Sequence, residues 1–164
     1  MGGNGSYDKG YGGIPKDKRT HPEIEGHRIL GHKILVPKDN PTRGSAPMNC
    51  NSPDQIYMIG TVADRRSGDR AGEVSISSVA FYEGHHIKYS IDLKYDGNGR
   101  VVAFKENTGE STSHAHKWHE VQPGIWGRIS RAKNNHLAPD SRWTSDMINA
   151  IETFNSKRVK WEKK

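Results

Sequence analysis

The chain has 164 residues and a formal net charge of +6, and only 32% of its residues are hydrophobic. This length predicts one domain, and the low apolar share predicts a modest core wrapped by polar loops. No run approaches the ~18 apolar residues that a membrane span needs, so we expect no membrane contact. One cysteine excludes an internal disulfide framework, and the N-terminus lacks the pattern of a secretory signal.

Residues 1–26 are predicted to be a flexible, Gly-rich lead-in to a single α+β domain over residues 27–164. Six glycines fall between Met1 and Gly13, and the charged run Lys16–Arg19 follows. Glycine increases conformational freedom, and such a segment has little to bury. A phosphate-binding loop is disfavoured because no Gly-Lys-Ser/Thr follows the glycines.

Strand patterns dominate the middle of the chain. Residues 27–36 and 55–62 are short and rich in β-branched side chains, and a polar loop over 37–54 separates them. Residues 73–82 and 85–95 form the strongest pair, with Glu83-Gly84 as a two-residue turn. In 85–95 the alternation places one set of side chains on an apolar face: Ile87, Tyr89, Ile91, Leu93 and Tyr95. A turn over 96–99 leads to a further strand over 100–105.

The last third is predicted to hold two short strands, over 113–119 and 125–130, and then a helix. Four apolar residues recur at helical spacing after Thr144, a candidate N-cap: Met147, Ile148, Ile151 and Phe154. The predicted fold class is α+β, with a twisted antiparallel sheet, a meander of about five strands, and a C-terminal helix packed on one face.

Histidines provide the main chemical signal. His114 and His116 are two residues apart, so on a strand both project to one side. Such a pair can act as general base and general acid. It can also ligate a metal together with a third group such as Asp92, or it can be a solvated surface cluster. The scattered His21, His27, His32 and His136 are assigned to surface or loop roles.

Asp92 and the basic end of the chain complete the candidate site. Asp92 can orient an imidazole, although an exposed cross-strand partner of a lysine has the same pattern. From Ser111 onward the chain holds 10 Lys/Arg and 5 Asp/Glu, interleaved with tryptophans, which favours a nucleic-acid partner. Cys50 lies in the loop over 37–54 and is interpreted as an ordinary thiol rather than a nucleophile.

Two segments of this sequence resemble C-terminal toxin domains of bacterial polymorphic toxin systems. They are FYEGHHIKYSIDLKYD, at residues 81–96, and HAHKW, at residues 114–118. Many such domains are similar to the RNase superfamily that includes barnase, EndoU, colicin and RelE toxins. The resemblance implies RNA cleavage in a target bacterial cell after delivery on a larger, secreted carrier protein. It also implies a cognate immunity protein as partner, action in the target-cell cytoplasm and no cofactor, and we expect a monomer.

The predicted function is therefore that of a metal-independent ribonuclease toxin domain. His114 and His116 are the expected acid/base pair, Asp92 orients one imidazole, and phosphate contacts are assigned to Lys94, Arg128 and Lys88. Two alternatives stay open from the sequence. One is a metal-dependent nuclease that uses the same histidines with Asp92, and the other is a non-enzymatic basic interaction module.

Overall fold

The structure, a computed structural model, describes residues 20–108, 119–120 and 144–162. Its elements in chain order are these: β1 (Glu23–Ile29), β2 (His32–Leu35), β3 (Ile56–Val62), a 3₁₀ helix (Arg65–Arg70), β4 (Val74–Glu83), β5 (His86–Tyr95), β6 (Val101–Thr108), β7 (His119–Glu120) and α1 (Ser145–Ser156). The described strands form one sheet with the spatial order β1-β2-β3-β4-β5-β6-β7. The protein therefore has an α+β fold in which α1 packs against one face of a mostly antiparallel sheet, as the sequence predicts.

The first predicted strand, over 27–36, is divided into two. Leu30 and Gly31 both have positive φ, and this two-residue turn folds β2 back antiparallel to β1. β1 begins at Glu23 and His21 is buried, although both residues lie in the segment 1–26 that the sequence predicts to be a flexible lead-in. A strand partner supplies backbone hydrogen bonds that residue composition does not reveal.

One strand pair is parallel, which the antiparallel prediction missed. β2 and β3 run in the same direction, with Ile34 opposite Met58 and Leu35 opposite Ile59. A parallel pair needs a long crossover connection, and residues 36–55 provide it. From β3 onward every neighbouring pair is antiparallel, so the predicted meander is confirmed. The β4–β5 turn consists of Gly84 and His85 rather than Glu83 and Gly84, because Glu83 pairs with His86.

The two faces of the sheet carry separate hydrophobic clusters. The helix face is the surface that packs against α1, and all four predicted helix residues are buried there: Met147, Ile148, Ile151 and Phe154. The loop face is the opposite surface, and its cluster comprises Leu35, Cys50, Tyr57, Ile59, Ala80, Tyr82 and Ile87. Burial on both faces explains why β3 reads as a continuous apolar run.

A bulge corrects the predicted face of Ile87. The pairing of β4 with β5 changes register between Phe81 and Tyr82, so Phe81 pairs with Tyr89 and Tyr82 with Ile87. The extra residue reverses the alternation. Ile87 therefore joins the loop-face cluster, whereas Tyr89, Ile91 and Leu93 belong to the helix-face cluster.

Polar side chains of α1 fix its position on the helix face. The Glu152 carboxylate accepts a hydrogen bond from the Val101 amide at 2.8 Å, and the Asn155 side-chain carbonyl accepts one from the Ile76 amide at 3.0 Å. Both amides lie at register shifts, where the regular ladder is interrupted. These bonds satisfy buried donors, so they select one orientation of the helix.

The segment after α1 returns to the sheet. The Val74 amide donates to Val159 and the Trp161 amide donates to Gly72. The Arg158 guanidinium lies 2.6 Å from the carboxylate of Glu73, a residue that is only 8% exposed. Arg158, a basic residue of this segment, therefore stabilises its packing against the sheet through an ion pair.

Candidate functional site

The crossover loop, residues 36–55, covers only part of the loop face. It runs along β4: Ser78 Oγ donates to Gly44, Tyr82 Oη donates to Pro47, and the Ile87 amide donates to Met48. Burial raises the pKa of Tyr82, so its hydroxyl remains a donor. The loop also hydrogen-bonds to β3, where the Val62 amide donates to the Pro41 carbonyl, and to the β4–β5 turn, where the His85 carbonyl accepts from the Cys50 amide.

The loop face also carries a row of polar side chains. Ser90, Asp92 and Lys94 alternate along β5, and Lys105 lies opposite Asp92 on β6. We call these four residues the polar strip. Lys94 is exposed, while Ser90, Asp92 and Lys105 are half-buried. Lys94 is adjacent to Asp92 along the strand, and Lys105 is adjacent across it, so the carboxylate has a cation on two sides.

Asp92 and Lys105 form an ion pair. Lys105 Nζ lies 3.9 Å from Asp92 Oδ2, with side-chain exposures of 31% and 41%. This distance exceeds the ~2.7–2.9 Å of a strong charge-assisted hydrogen bond, and partly exposed pairs contribute about 0–1 kcal/mol. The pair therefore adds little to stability, but it keeps two opposite charges beside each other on an accessible surface.

The edge of the crossover loop lies next to Asp92. Asp92 pairs with Ser78 on β4, and Ser78 is 3% exposed because the loop lies against it at Gly44. A Cβ added at Gly44 would overlap Ser77 Oγ, so the loop backbone approaches β4 as closely as glycine allows. Asp92 thus lies between Ser78, which the loop covers, on its β4 side and Lys105 on its β6 side.

The structure brings together two of the predicted site residues, Asp92 and Lys94. Lys88 lies four residues from Asp92, about 13 Å along the strand, and forms an ion pair with Glu83 at 3.6 Å. His114, His116 and Arg128 lie outside the described residues; the two histidines belong to the connection between β6 and β7.

Lys105 is the residue that sequence reasoning missed. The turn over 96–99 contained the signal, because it determines which residues of β5 and β6 face each other. Asp96 Oδ1 accepts hydrogen bonds from the amides of Asn98 and Arg100, which stabilises the turn and lowers the pKa of Asp96. The register still could not be counted, because it shifts between Lys94 and Tyr95.

His85 in the β4–β5 turn and His86 at the start of β5 both contact the crossover loop. His85 Nδ1 lies 2.9 Å from the Cys50 carbonyl oxygen, and His86 Nδ1 lies 3.0 Å from Asn49 Oδ1. Cys50 is fully buried, and burial raises the pKa of its thiol. A buried, protonated thiol is a poor nucleophile, so the interpretation of Cys50 as an ordinary thiol agrees with its environment.

His21 has a loop role rather than a surface role, the two that were open for the scattered histidines. Its ring is 3% exposed and bridges Thr20 Oγ1, at 2.9 Å, and the Ser45 carbonyl oxygen, at 3.0 Å. Burial lowers its pKa from 6.5 to about 4. His21 therefore joins the start of β1 to the crossover loop in its neutral form.

Charge is distributed unevenly along the chain. The described residues contain 14 Lys/Arg and 15 Asp/Glu, so they are nearly neutral. The positive excess comes from residues 1–19, 121–143 and 163–164. Long-range attraction of a polyanion therefore depends on those segments, while the polar strip offers local contacts.

The described residues hold neither a metal-binding cluster nor a membrane-spanning helix. They contain no group of three or more His, Cys, Asp or Glu side chains arranged to hold a metal ion. They also contain no helix that is long and apolar enough to cross a membrane. Comparisons of the chain with protein-family models, curated proteins and solved structures found no match.

Proposed function

We propose that this protein is a metal-independent endoribonuclease domain whose active site is built on the polar strip. The observation that carries the proposal is the position of Asp92, a half-buried carboxylate flanked by Lys94 and Lys105 on the sheet face opposite α1. The resemblance to bacterial toxin domains supports the same function. RNA in a target cell is the proposed substrate, and a cognate immunity protein is the proposed partner.

Chain connectivity supports a role for the histidines near this strip. β7 pairs with β6 through Phe104 opposite His119, one residue from Lys105. His116 lies three positions before His119, and an extended chain spans at most ~3.6 Å per position. His116 is therefore tethered within about 11 Å of a residue that pairs beside the Lys105–Asp92 pair.

The proposed reaction is transesterification. One of His114 and His116 removes the proton of a ribose 2′-hydroxyl, and the oxygen attacks the adjacent phosphorus. The P–O5′ bond breaks, and the second histidine protonates the leaving 5′-oxygen, leaving a 2′,3′-cyclic phosphate. Asp92 orients one imidazole, and Lys94 offsets the charge that develops on the phosphate. Arg128 belongs to the basic segment that attracts RNA.

The test is a cleavage assay with total RNA, tRNA and plasmid DNA, each with and without a chelator. We expect RNA cleavage that chelator does not affect. His116→Ala should lower it at least a hundredfold and Asp92→Asn at least tenfold. Matched controls are His32→Ala, on β2 near the opposite edge of the sheet, and Asp146→Asn, which is exposed on α1. Both variants should cleave RNA at the wild-type rate.

Other outcomes separate the alternatives. Cleavage that disappears in chelator indicates a metal site that uses His114, His116 and Asp92. No cleavage of any substrate by the wild-type protein overturns the nuclease proposal and leaves a binding module. The proposed toxicity and the proposed immunity partner are tested separately. The measurements are whether expression of the protein in the bacterial cytoplasm is toxic and whether the product of a neighbouring gene relieves that toxicity.

A further inference from the structure

We infer that Asn98, in the turn between β5 and β6, is a site of spontaneous deamidation, and that the isoaspartate formed there loosens this turn. The modification needs no other protein and is independent of the proposed ribonuclease function. Three properties of the turn support it: the residue that follows Asn98, the exposure of both residues, and the hydrogen bonds of the main chain around them.

The main-chain neighbour of an asparagine carries out the first step of deamidation. The backbone nitrogen of Gly99 attacks Cγ of Asn98, so an N–Cγ bond forms. The Cγ–Nδ2 bond breaks, and ammonia leaves with the proton that the backbone nitrogen gave up. The remaining succinimide ring is opened by water at either carbonyl, which gives aspartate or isoaspartate.

Among the described asparagines, Asn98 is the one that precedes glycine. Glycine has no Cβ to crowd the attacking nitrogen. Gly99 has a φ of 82°, and a Cβ built there would meet nothing within 4 Å, so the turn is open at this point. The other described asparagines precede Pro, Cys, Ser, Thr or Ala. A proline nitrogen cannot react in this way, and the other side chains hinder the attack.

Both reacting groups are accessible. Residues 97–100 are all exposed, so solvent reaches the Asn98 side chain and the Gly99 amide. The Gly99 amide donates to the Asp96 carbonyl at 3.2 Å, at the long end of the range for such bonds, and an exposed bond of this kind opens locally. Asn155 differs, because it lies within α1 and its side-chain carbonyl accepts a hydrogen bond at 3.0 Å.

The turn depends on main-chain geometry that isoaspartate changes. Asp96 Oδ1 accepts hydrogen bonds from the Asn98 amide at 2.8 Å and from the Arg100 amide at 3.0 Å. The Asp96 amide also donates to the Arg100 carbonyl at 2.9 Å. In isoaspartate the main chain runs through Cβ, which adds one carbon atom between residues 98 and 99. The bonds between Asp96 and Arg100 span this added atom, so we expect them to weaken.

The test is ageing of the purified, folded protein at 37 °C in mildly alkaline buffer, followed by trypsin digestion and mass spectrometry. Trypsin releases residues 95–100 as one peptide and residues 1–9 as another, which contains the pair Asn4-Gly5. Ageing is continued until Asn4 has reacted, and an unaged sample gives the background. Asn98→Gln is the matched control, because it retains an amide but would need a larger ring. An isoaspartate-specific methyltransferase distinguishes isoaspartate from aspartate.

We expect the peptide 95–100 to change from an amide to a carboxyl group, as a mixture of aspartate and isoaspartate. The rate should be at least about tenfold above that of Asn51, because the residue after Asn98 has no Cβ. Asn98→Gln should show no conversion at this position. The isoaspartate fraction should unfold at a lower temperature than Asn98→Asp, which has the same added charge but an unchanged main chain.

Two results overturn the modification site. One is an unchanged peptide 95–100 after Asn4 has reacted. The other is aspartate without isoaspartate, since direct hydrolysis of the side chain gives that product without attack by Gly99. Equal unfolding temperatures for the isoaspartate fraction and Asn98→Asp overturn the expected effect on the turn.

Discussion

The two faces of the sheet are covered in different ways. On the helix face, α1 inserts Met147, Ile148, Ile151 and Phe154 into one apolar cluster. On the loop face, an irregular segment provides the cover, and it is held largely by hydrogen bonds to backbone carbonyls. Among the described residues, the polar strip lies beside that loop and stays partly exposed, so the loop face is the one that can carry a site.

The largest expected effect tests the helix face. Ile151→Ala should lower the free energy of unfolding by about 4 kcal/mol, because Ile151 is fully buried between α1 and the sheet. Urea unfolding measures this loss, and Asn149→Ala on the exposed side of α1 should change it by less than about 0.5 kcal/mol. A similar loss in both variants would show that α1 does not hold the core.

Acid should weaken the loop face through His21. Its pKa is about 4 in the folded protein and 6.5 in the unfolded chain, so the unfolded state binds the proton first. The contribution of His21 is complete above pH 6.5 and falls with pH, by about 3 kcal/mol at pH 4. The measurement is the difference in unfolding free energy between wild type and His21→Gln from pH 7.5 to 4. A difference that does not change with pH would contradict the buried, neutral state of His21.

Removal of one hydroxyl should loosen the crossover loop. Tyr82→Phe leaves the buried Pro47 carbonyl without its donor, at a cost of about 1–2 kcal/mol. If the loop opens as a local unit, Cys50, the chain's one cysteine, should react faster with a thiol reagent. Tyr95→Phe removes a hydroxyl bonded to Ile76 and is the matched control. Equal thiol reactivity in both variants would mean that the two faces open together.

The smallest effect is expected in the polar strip. Asp92→Asn, Lys105→Met and the double variant should each change the unfolding free energy by less than about 1 kcal/mol, because the pair is partly exposed. A double-mutant cycle in urea gives the coupling energy. A coupling well above this value would assign the pair to the stability of the sheet and weaken its assignment to the site.

Some of the fold follows from local patterns. The helix was predicted because four apolar residues at helical spacing need one buried stripe, and the β5–β6 turn because Asp and Gly favour a tight reversal. Asp92 and Lys94 were placed on a common polar face by alternation alone. The parallel β2–β3 pair was not predictable, since its partners are joined by a connection whose path depends on what it covers.

Pairing between distant residues also limits what the sequence predicts about the candidate site. Lys105 and Asp92 are 13 positions apart, and a bulge between them alters the count that would pair them. Alternation predicts the wrong face for Ile87 because a bulge also shifts the register there. A bulge costs one unpaired residue and reverses every later side chain, and no residue type marks it reliably.

The sequence by itself determined the α+β class, the meander, the helix and the polar face that carries Asp92, because each depends on periodicity over neighbouring residues. Only the tertiary structure decided that the crossover loop buries Cys50 and His21 and that Lys105 lies opposite Asp92. These features arise from contacts between distant residues, whose free energy depends on packing and register rather than on local composition.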